Sequence, residues 1–274
     1  MLTNMKEQIK KAHKEKYAIP QFNINNLEWT RYILEASQEL NNPVILGVSE
    51  GAIEYMGGYN TIVSIVEGLI KDLNITIPVS IHLDHGSTIE SCKKAIKAGF
   101  TSIMLDNSKL PLKNNIEETK KLIELSKNKV LIEAEIGPIG TTKENENYTR
   151  KEDCIEMSKL NIDALAIAIG NIHGEYKGEV NLDLKLLEQI KQETNIPLVL
   201  HGASCIPENL LKECIKKGIN KVNFNTELQL AWNKEIRKYI EKNKNVYDPR
   251  KIIKSGEQAL KEKVKEKIQI LNRP

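Results

Sequence analysis

Ile81-His82-Leu83-Asp84-His85-Gly86 sets a carboxylate beside an imidazole at the end of an apolar run, Pro78 to Leu83. Two more histidines close later apolar runs: His173 follows 164–170, and His201 follows Pro197–Leu200. Each of the three is followed by glycine. Taken singly, each is an ordinary polar strand-end group. Taken together, imidazoles from three distant strand ends read as one metal site, because three protein ligands with an open fourth position are the pattern of a catalytic zinc centre. Asp84 then stands where it can exchange a proton beside the metal, or orient a ligating ring. His82 and Asp84 share a strand face by the period of two, so His82 is expected to pack beneath the site. His13, on a charged N-terminal helix, is expected to be solvated.

Other strand ends add polar groups. Asp106 follows Ser102–Leu105, and Glu133 and Glu135 share a face of the run Val130–Ile136. Paired carboxylates inside a strand are costly unless they meet donors or a cation. Asp106 and Glu135 are therefore further candidate ligands. Small and hydroxyl residues follow the later runs: Gly174 with Lys177, Gly202-Ala203-Ser204, and Asn223-Phe224-Asn225-Thr226. Backbone N–H groups and hydroxyls of this kind cradle phosphate, and Lys177 would add a point charge.

These groups need a scaffold that brings strand ends together. Eight apolar runs occur, at Tyr17–Ile24, Pro43–Val48, Pro78–Leu83, Ser102–Leu105, Val130–Ile136, Ala164–Ile169, Pro197–Leu200 and Lys221–Phe224. Nearly all are continuous rather than alternating, as in parallel strands covered on both faces. Amphipathic segments separate them: Leu27–Leu40, Thr61–Leu73, Thr88–Ala98, Pro111–Lys127, Arg150–Leu160, Asp183–Thr194, Pro207–Lys217 and Thr226–Asn243. Strict alternation predicts an α/β fold, a closed (β/α)8 TIM barrel, with an open doubly wound sheet as the alternative. The 274 residues suit one barrel of about 250 residues. The chain is read as a single domain, 1–274, whose last part, 246–274, is a C-terminal extension with a helix over Ser255–Ile270.

Composition excludes other classes. Forty basic and 37 acidic residues leave a net charge of +3, which gives no concentrated basic face for nucleic acid. No run approaches the length of a membrane span, and the N-terminus lacks an apolar leader segment. Four cysteines without paired spacing fit free thiols, so a cytoplasmic location is expected. The strand ends offer His, Asp, Asn, Glu and Ser, and Lys221 sits at the opening of the eighth run. A lysine Schiff base is therefore disfavoured.

At these residues the chain resembles the zinc-dependent class II ketose-bisphosphate aldolases, most closely the fructose-bisphosphate members. The matching pieces are Gln21-Phe22-Asn23, 43–51, 82–86, 133–137, 173–178, 201–204, 221–227 and 247–251, in family order over nearly the whole chain. The resemblance implies reversible aldol cleavage of fructose 1,6-bisphosphate to dihydroxyacetone phosphate and glyceraldehyde 3-phosphate. It implies Zn²⁺ on His85, His173 and His201, with Asp84 as the acid/base at the C4 hydroxyl. Asn23 and Asn223 meet the substrate, and Gly174, Lys177, Gly202, Ser204, Asn225 and Thr226 hold one phosphate. Ser49 and Arg250 serve the other phosphate, the arginine reaching in from a neighbouring subunit of a homodimer or homotetramer. A monovalent cation, Na⁺ or K⁺, is expected near the phosphate loops. Tagatose-bisphosphate aldolase, the aldolase of inositol catabolism and a non-catalytic sugar-phosphate-binding barrel stay open as alternatives.

Two departures stand out. The family's mobile loop carries Gly-Gly-x-Glu-Asp, whereas this chain has Gly140-Thr141-Thr142-Lys143-Glu144. Without a gap the loop glutamate falls on Lys143; Glu144 takes its place after a one-residue shift, as could Glu146. Cys205 stands where glycine follows the serine, which is expected to crowd the phosphate loop or bring a thiol near the metal.

Overall fold

The computed structural model describes residues 1–141 and 148–272. Its strands are β1 (Ile19–Asn23), β2 (Val44–Ser49), β3 (Val79–Gly86), β4 (Ser102–Leu105), β5 (Leu131–Ile136), β6 (Gly140–Thr141), β7 (Ala164–Ile167), β8 (Ile172–His173), β9 (Leu198–Leu200) and β10 (Ile219–Phe224). Eight of them close a parallel barrel in the order β1-β10-β9-β7-β5-β4-β3-β2, and β6 pairs with β8 in a separate two-stranded ladder. The closed barrel expected from alternation is present, and the open sheet is not. The short β6–β8 ladder was not read from sequence, because two residues carry no periodicity.

The helices are α1 (Lys6–Glu15), α2 (Leu27–Glu39), α3 (Glu50–Tyr55), α4 (Tyr59–Asp72), α5 (Ile89–Ala98), α6 (Leu112–Ser126), α7 (Lys151–Ser158), α8 (Leu184–Glu193), α9 (Glu208–Lys216), α10 (Thr226–Lys242), α11 (Pro249–Lys254) and α12 (Glu257–Asn272). Thr88 caps α5 through the N–H of Ser91, and Gly99 ends it at φ 110°. This is the entry and exit chemistry the sequence displays. One apolar layer lies between strands and helices, with Leu46, Ile81, Leu83, Ile103 and Leu165 among its buried members. A smaller cluster joins Met5, Ile9 and Ala12 to Ile19, Ile45 and Leu131. Those last three lie in the first two positions of their strands, so α1 plugs the N-terminal end of the barrel. The helix α12 returns to pack on α2, α10 and β1. Its buried Lys267 meets Glu227 of α10 at 2.8 Å.

His13 departs from expectation. It is half-buried, with Nδ1 3.0 Å from Asn220 Oδ1 and 2.9 Å from Lys191 Nζ. It ties α1 to the barrel instead of facing solvent. Lys221 also departs: it lies within β10, fully buried. Its Nζ meets Glu133 Oε2 at 2.6 Å. Since β10 and β5 are not neighbours in the barrel, this contact crosses the interior.

Candidate active site

The third strand places two adjacent residues on one face, which regular pleating forbids. Asp84 faces inward with His82, two residues earlier. His85 would then point out. The ladder between β3 and β4 shifts register between Leu83 and Gly86, and His85 adopts a left-handed φ of 52°. An extra residue in one strand re-aims its side chain. A non-glycine residue in that region costs roughly 1–2 kcal/mol, a strain found at functional sites. The result is that Asp84 and His85 line the same cavity.

That cavity, about 240 Å³, lies at the C-terminal ends of the strands, lined by Asn23, Ser49, Asp84, His85, His173, Gly174, His201, Gly202, Ser204, Asn223, Phe224, Asn225 and Thr226. It thus gathers most of the residues singled out from sequence. Lys177 is exposed and does not line it. Arg250 is also outside: its guanidinium is exposed and bonds both Asp248 oxygens, at 3.0 and 2.9 Å. Glu144, Glu146 and Lys143 lie outside the described residues. Cys205, at φ 66°, is exposed and does not line the cavity, so its thiol neither crowds that cavity nor reaches the histidines. A larger groove of about 740 Å³ at the opposite end of the barrel includes Lys6, Lys10, His13 and Asp163. Lys6 and Asp163 pair there at 3.1 Å, and its lining contains one histidine where the other cavity has three.

The three histidine rings pack at centroid separations of 4.7 to 6.1 Å. Each offers a nitrogen within 4.8 Å of the others. His85 Nε2 and His201 Nδ1 are 3.0 Å apart. Ligands about 2.0–2.1 Å from a tetrahedral zinc lie about 3.3–3.4 Å from one another, so a small adjustment would admit the ion. The unused ring nitrogens are held: His85 Nδ1 by Asp106 Oδ2 at 2.8 Å, and His201 Nε2 by Glu133 Oε1 at 2.7 Å. Such outer partners fix which nitrogen faces a metal. Asp106 also accepts from Ser108 N and Oγ, at 3.1 and 2.7 Å, so its oxygens are engaged in orienting His85. Glu135 Oε2 is buried without a partner among the described residues, 3.9 Å from His85 Nδ1. With His85 and Asp106 it forms a second cluster of ligand type. Three imidazoles with an open fourth position are a donor set that zinc prefers.

Charge follows from this packing. Burial lowers the His85 pKa, but its bond to Asp106 and the charges of Asp84 and Glu135 outweigh that and raise it to about 10. Burial, with His85 and His201 nearby, takes His173 down to about 3. Burial lowers His201 too, although Glu133 opposes it. One consistent pattern results: a charged His85 donates from Nδ1 to Asp106 and from Nε2 to a neutral His201. Burial alone would raise Asp84, yet His85, His201, His82 and Lys221 together hold its carboxyl well below the usual range. Burial raises Glu135 to about 8, with Asp106 adding to the effect against His85.

Asp84 is held by two amides. Asn23 Nδ2 donates to Oδ2 at 2.8 Å, and Asn223 Nδ2 reaches Oδ1 at 3.5 Å. Asn223 Nδ2 also lies 3.2 Å from His201 Nδ1, and its Oδ1 is buried with no partner among the described residues. The opposite wall is backbone and hydroxyl. Ser204 Oγ accepts from Asn225 N at 3.1 Å, leaving its hydrogen free to donate. A Cβ on Gly202 would meet Ile172 O at 2.2 Å; only glycine lets the segment after β9 lie so close to the one carrying His173. Two side chains missed in the sequence reading join these segments. Asn171 Nδ2 donates to His201 O at 3.0 Å, and Tyr176 Oη donates to Gly202 O at 3.0 Å while accepting from Ile172 N. Nothing in their local spacing marks them. His82 is fully buried, with Nδ1 2.6 Å from Ser102 Oγ, the packed role expected of it.

Comparison with known proteins agrees with this architecture. Residues 3–273 match the family model described as "Fructose-bisphosphate aldolase class-II". A fructose-bisphosphate aldolase of Staphylococcus aureus is 51% identical over 274 residues, covering 97% of this chain and 96% of that one. A fructose-bisphosphate aldolase of Geobacillus stearothermophilus is 49% identical over 267 residues, covering 95% and 93%. Among solved structures, the YdjI aldolase from Escherichia coli K12 superimposes with a TM-score of 0.87 at 29% identity, covering 99% of this chain and 97% of that one. The chain belongs to the class II fructose-bisphosphate aldolase family, a family of aldehyde-lyases.

Proposed function

We propose that this protein catalyses the reversible aldol cleavage of fructose 1,6-bisphosphate into dihydroxyacetone phosphate and glyceraldehyde 3-phosphate. The observation that carries the reading is the Asp84 carboxylate, fixed by Asn23 and Asn223 beside three clustered histidines in one cavity with Gly202, Ser204, Asn225 and Thr226. His85, His173 and His201 would hold Zn²⁺, which when bound supplies Lewis-acid polarisation of a substrate oxygen. Asp84, kept ionised by its cationic surroundings, accepts the C4 hydroxyl proton as the C3–C4 bond breaks. Asn223 Oδ1 accepts a hydrogen bond from a substrate hydroxyl, and Asn23 keeps Asp84 aimed at C4. Gly174, Gly202, Ser204, Asn225 and Thr226 bind one phosphate where α10 begins, since unpaired N–H groups and the helix dipole favour an anion there. Ser49 serves the second phosphate, with Arg250 of an adjacent subunit in a homodimer or homotetramer. Glu144 exchanges the C3 proton.

A coupled assay on fructose and tagatose bisphosphates, with and without chelator, tests this. Chelator-sensitive cleavage favouring the fructose substrate is expected. Preference for tagatose bisphosphate would reassign the substrate, and zinc binding with no cleavage of either would make the barrel a binding protein. We extend the reading to Na⁺ or K⁺ beside the phosphate loops. It predicts a faster rate in KCl than in tetramethylammonium chloride of equal ionic strength.

A further inference from the structure

The barrel interior beneath the cavity is polar where branched apolar residues usually fill it. Glu133 and Lys221 are both fully buried there. Their contacts form a line: Lys221 Nζ to Glu133 Oε2 at 2.6 Å, Glu133 Oε1 to His201 Nε2 at 2.7 Å, and His201 Nδ1 to His85 Nε2 at 3.0 Å. Four separate strand segments supply these groups, and removing two charges from water is justified only if their geometry serves something.

We propose that Lys221 is a positioning residue for the metal: by occupying one oxygen of Glu133 it turns the other toward His201, so that His201 carries its proton on Nε2 and presents the Nδ1 lone pair to the ion. The inference rests on the reading of His201 as a metal ligand. The carboxylate accepts at both oxygens and cannot donate. His201 must therefore donate from Nε2, and Nδ1 is left as the acceptor facing His85. Lysine has only donors, so it never competes with the imidazole for the role of acceptor.

A pair of variants at Glu133 and Lys221 tests this role. In Glu133→Gln the amide oxygen is claimed by Lys221, which leaves the NH2 to donate to His201 Nε2. The ring then carries its proton on Nδ1, and the ligand lone pair is lost. Adding Lys221→Met releases the amide, which can rotate and accept from Nε2–H again. Zinc affinity by chelator competition should fall about 10- to 100-fold in Glu133→Gln, the usual effect of an outer-shell change, and recover at least in part in the double variant. Near-UV circular dichroism verifies folding. A double variant that binds no more tightly than Glu133→Gln, or single-variant affinity equal to wild type, overturns the inference. Should the variants not fold, ¹⁵N spectra of the zinc-loaded wild type decide: an N–H on His201 Nε2 supports it, and zinc on Nε2 overturns it. Failure of the wild type to bind zinc at all would instead reject the functional reading beneath it.

Discussion

Replacing Asp106 with Asn probes how the cluster balances protons against a metal. Asp106 Oδ2 lies 2.8 Å from His85 Nδ1, with both side chains about a quarter exposed. A hydrogen bond between charged groups contributes about 1.5–3 kcal/mol, and one pKa unit corresponds to about 1.4 kcal/mol. Asparagine keeps the shape and an acceptor oxygen but loses the charge. The His85 pKa, about 10 in the native protein, should therefore fall by about 1–2 units. The sign follows from competition. Below its pKa His85 holds a proton on the nitrogen that would bind the metal, so uptake of zinc expels that proton. Apparent zinc affinity then rises about tenfold per pH unit until the pKa is passed. In wild type this rise continues to about pH 10; in the variant it stops about 1–2 units earlier. At pH 9 the wild type still expels most of a proton from His85, and the variant about half or less. Protons lost from water at the metal are common to both proteins and cancel. Calorimetry in two buffers of different ionisation enthalpy counts the protons, and chelator competition across pH gives the affinity. If wild type and variant expel the same number of protons at pH 9, the charge assignment of His85 is refuted.

Four further outcomes follow from the same geometry. Asp84→Asn should cut turnover about 10²- to 10⁴-fold with zinc content unchanged by elemental analysis; loss of zinc instead would make Asp84 an orienting group. Arg250→Ala should raise KM for fructose bisphosphate without changing zinc content, and sedimentation should show at least a dimer; a fully active monomer contradicts the shared site. Glu144→Gln should slow exchange of the C3 proton of dihydroxyacetone phosphate with solvent, and an effect confined to Glu146→Gln would move the role by two residues. Cys205→Gly should stabilise the fold by about 1 kcal/mol, because glycine adopts φ near 66° without the steric penalty; urea denaturation reads this, and unchanged or lower stability refutes it.

Much of the site was legible as strand ends. An apolar run that stops at His201, or at Asp84-His85, announces both the strand and the group it presents, because a barrel sends all such ends to one face. Alternation of the runs with amphipathic segments favoured the barrel over an open sheet; Gly99 read as a helix exit, while the entry lay between Ser87 and Thr88 until the cap to Ser91 placed it at Thr88. The sequence by itself therefore determined the architecture, the histidine trio and the acidic partner. It could not tell that Asp84 and His85 face the same way, since alternation predicts the opposite and only the bulge with its left-handed turn reverses it. Nor could it tell which of two like carboxylates does what. Glu133 and Glu135 have the same parity and the same neighbours in sequence. One is consumed by His201 and Lys221, while the other keeps an oxygen free beside His85. Lys221 read as the opening residue of a strand, and the fold places it within β10, buried across the barrel from β5. His13 read as solvated and is instead pinned to Asn220. These roles depend on contacts between segments up to about two hundred residues apart, and local pattern carries no record of which distant group a side chain will meet. Tertiary structure decided them because burial makes every polar group find a partner or carry the cost of lacking one.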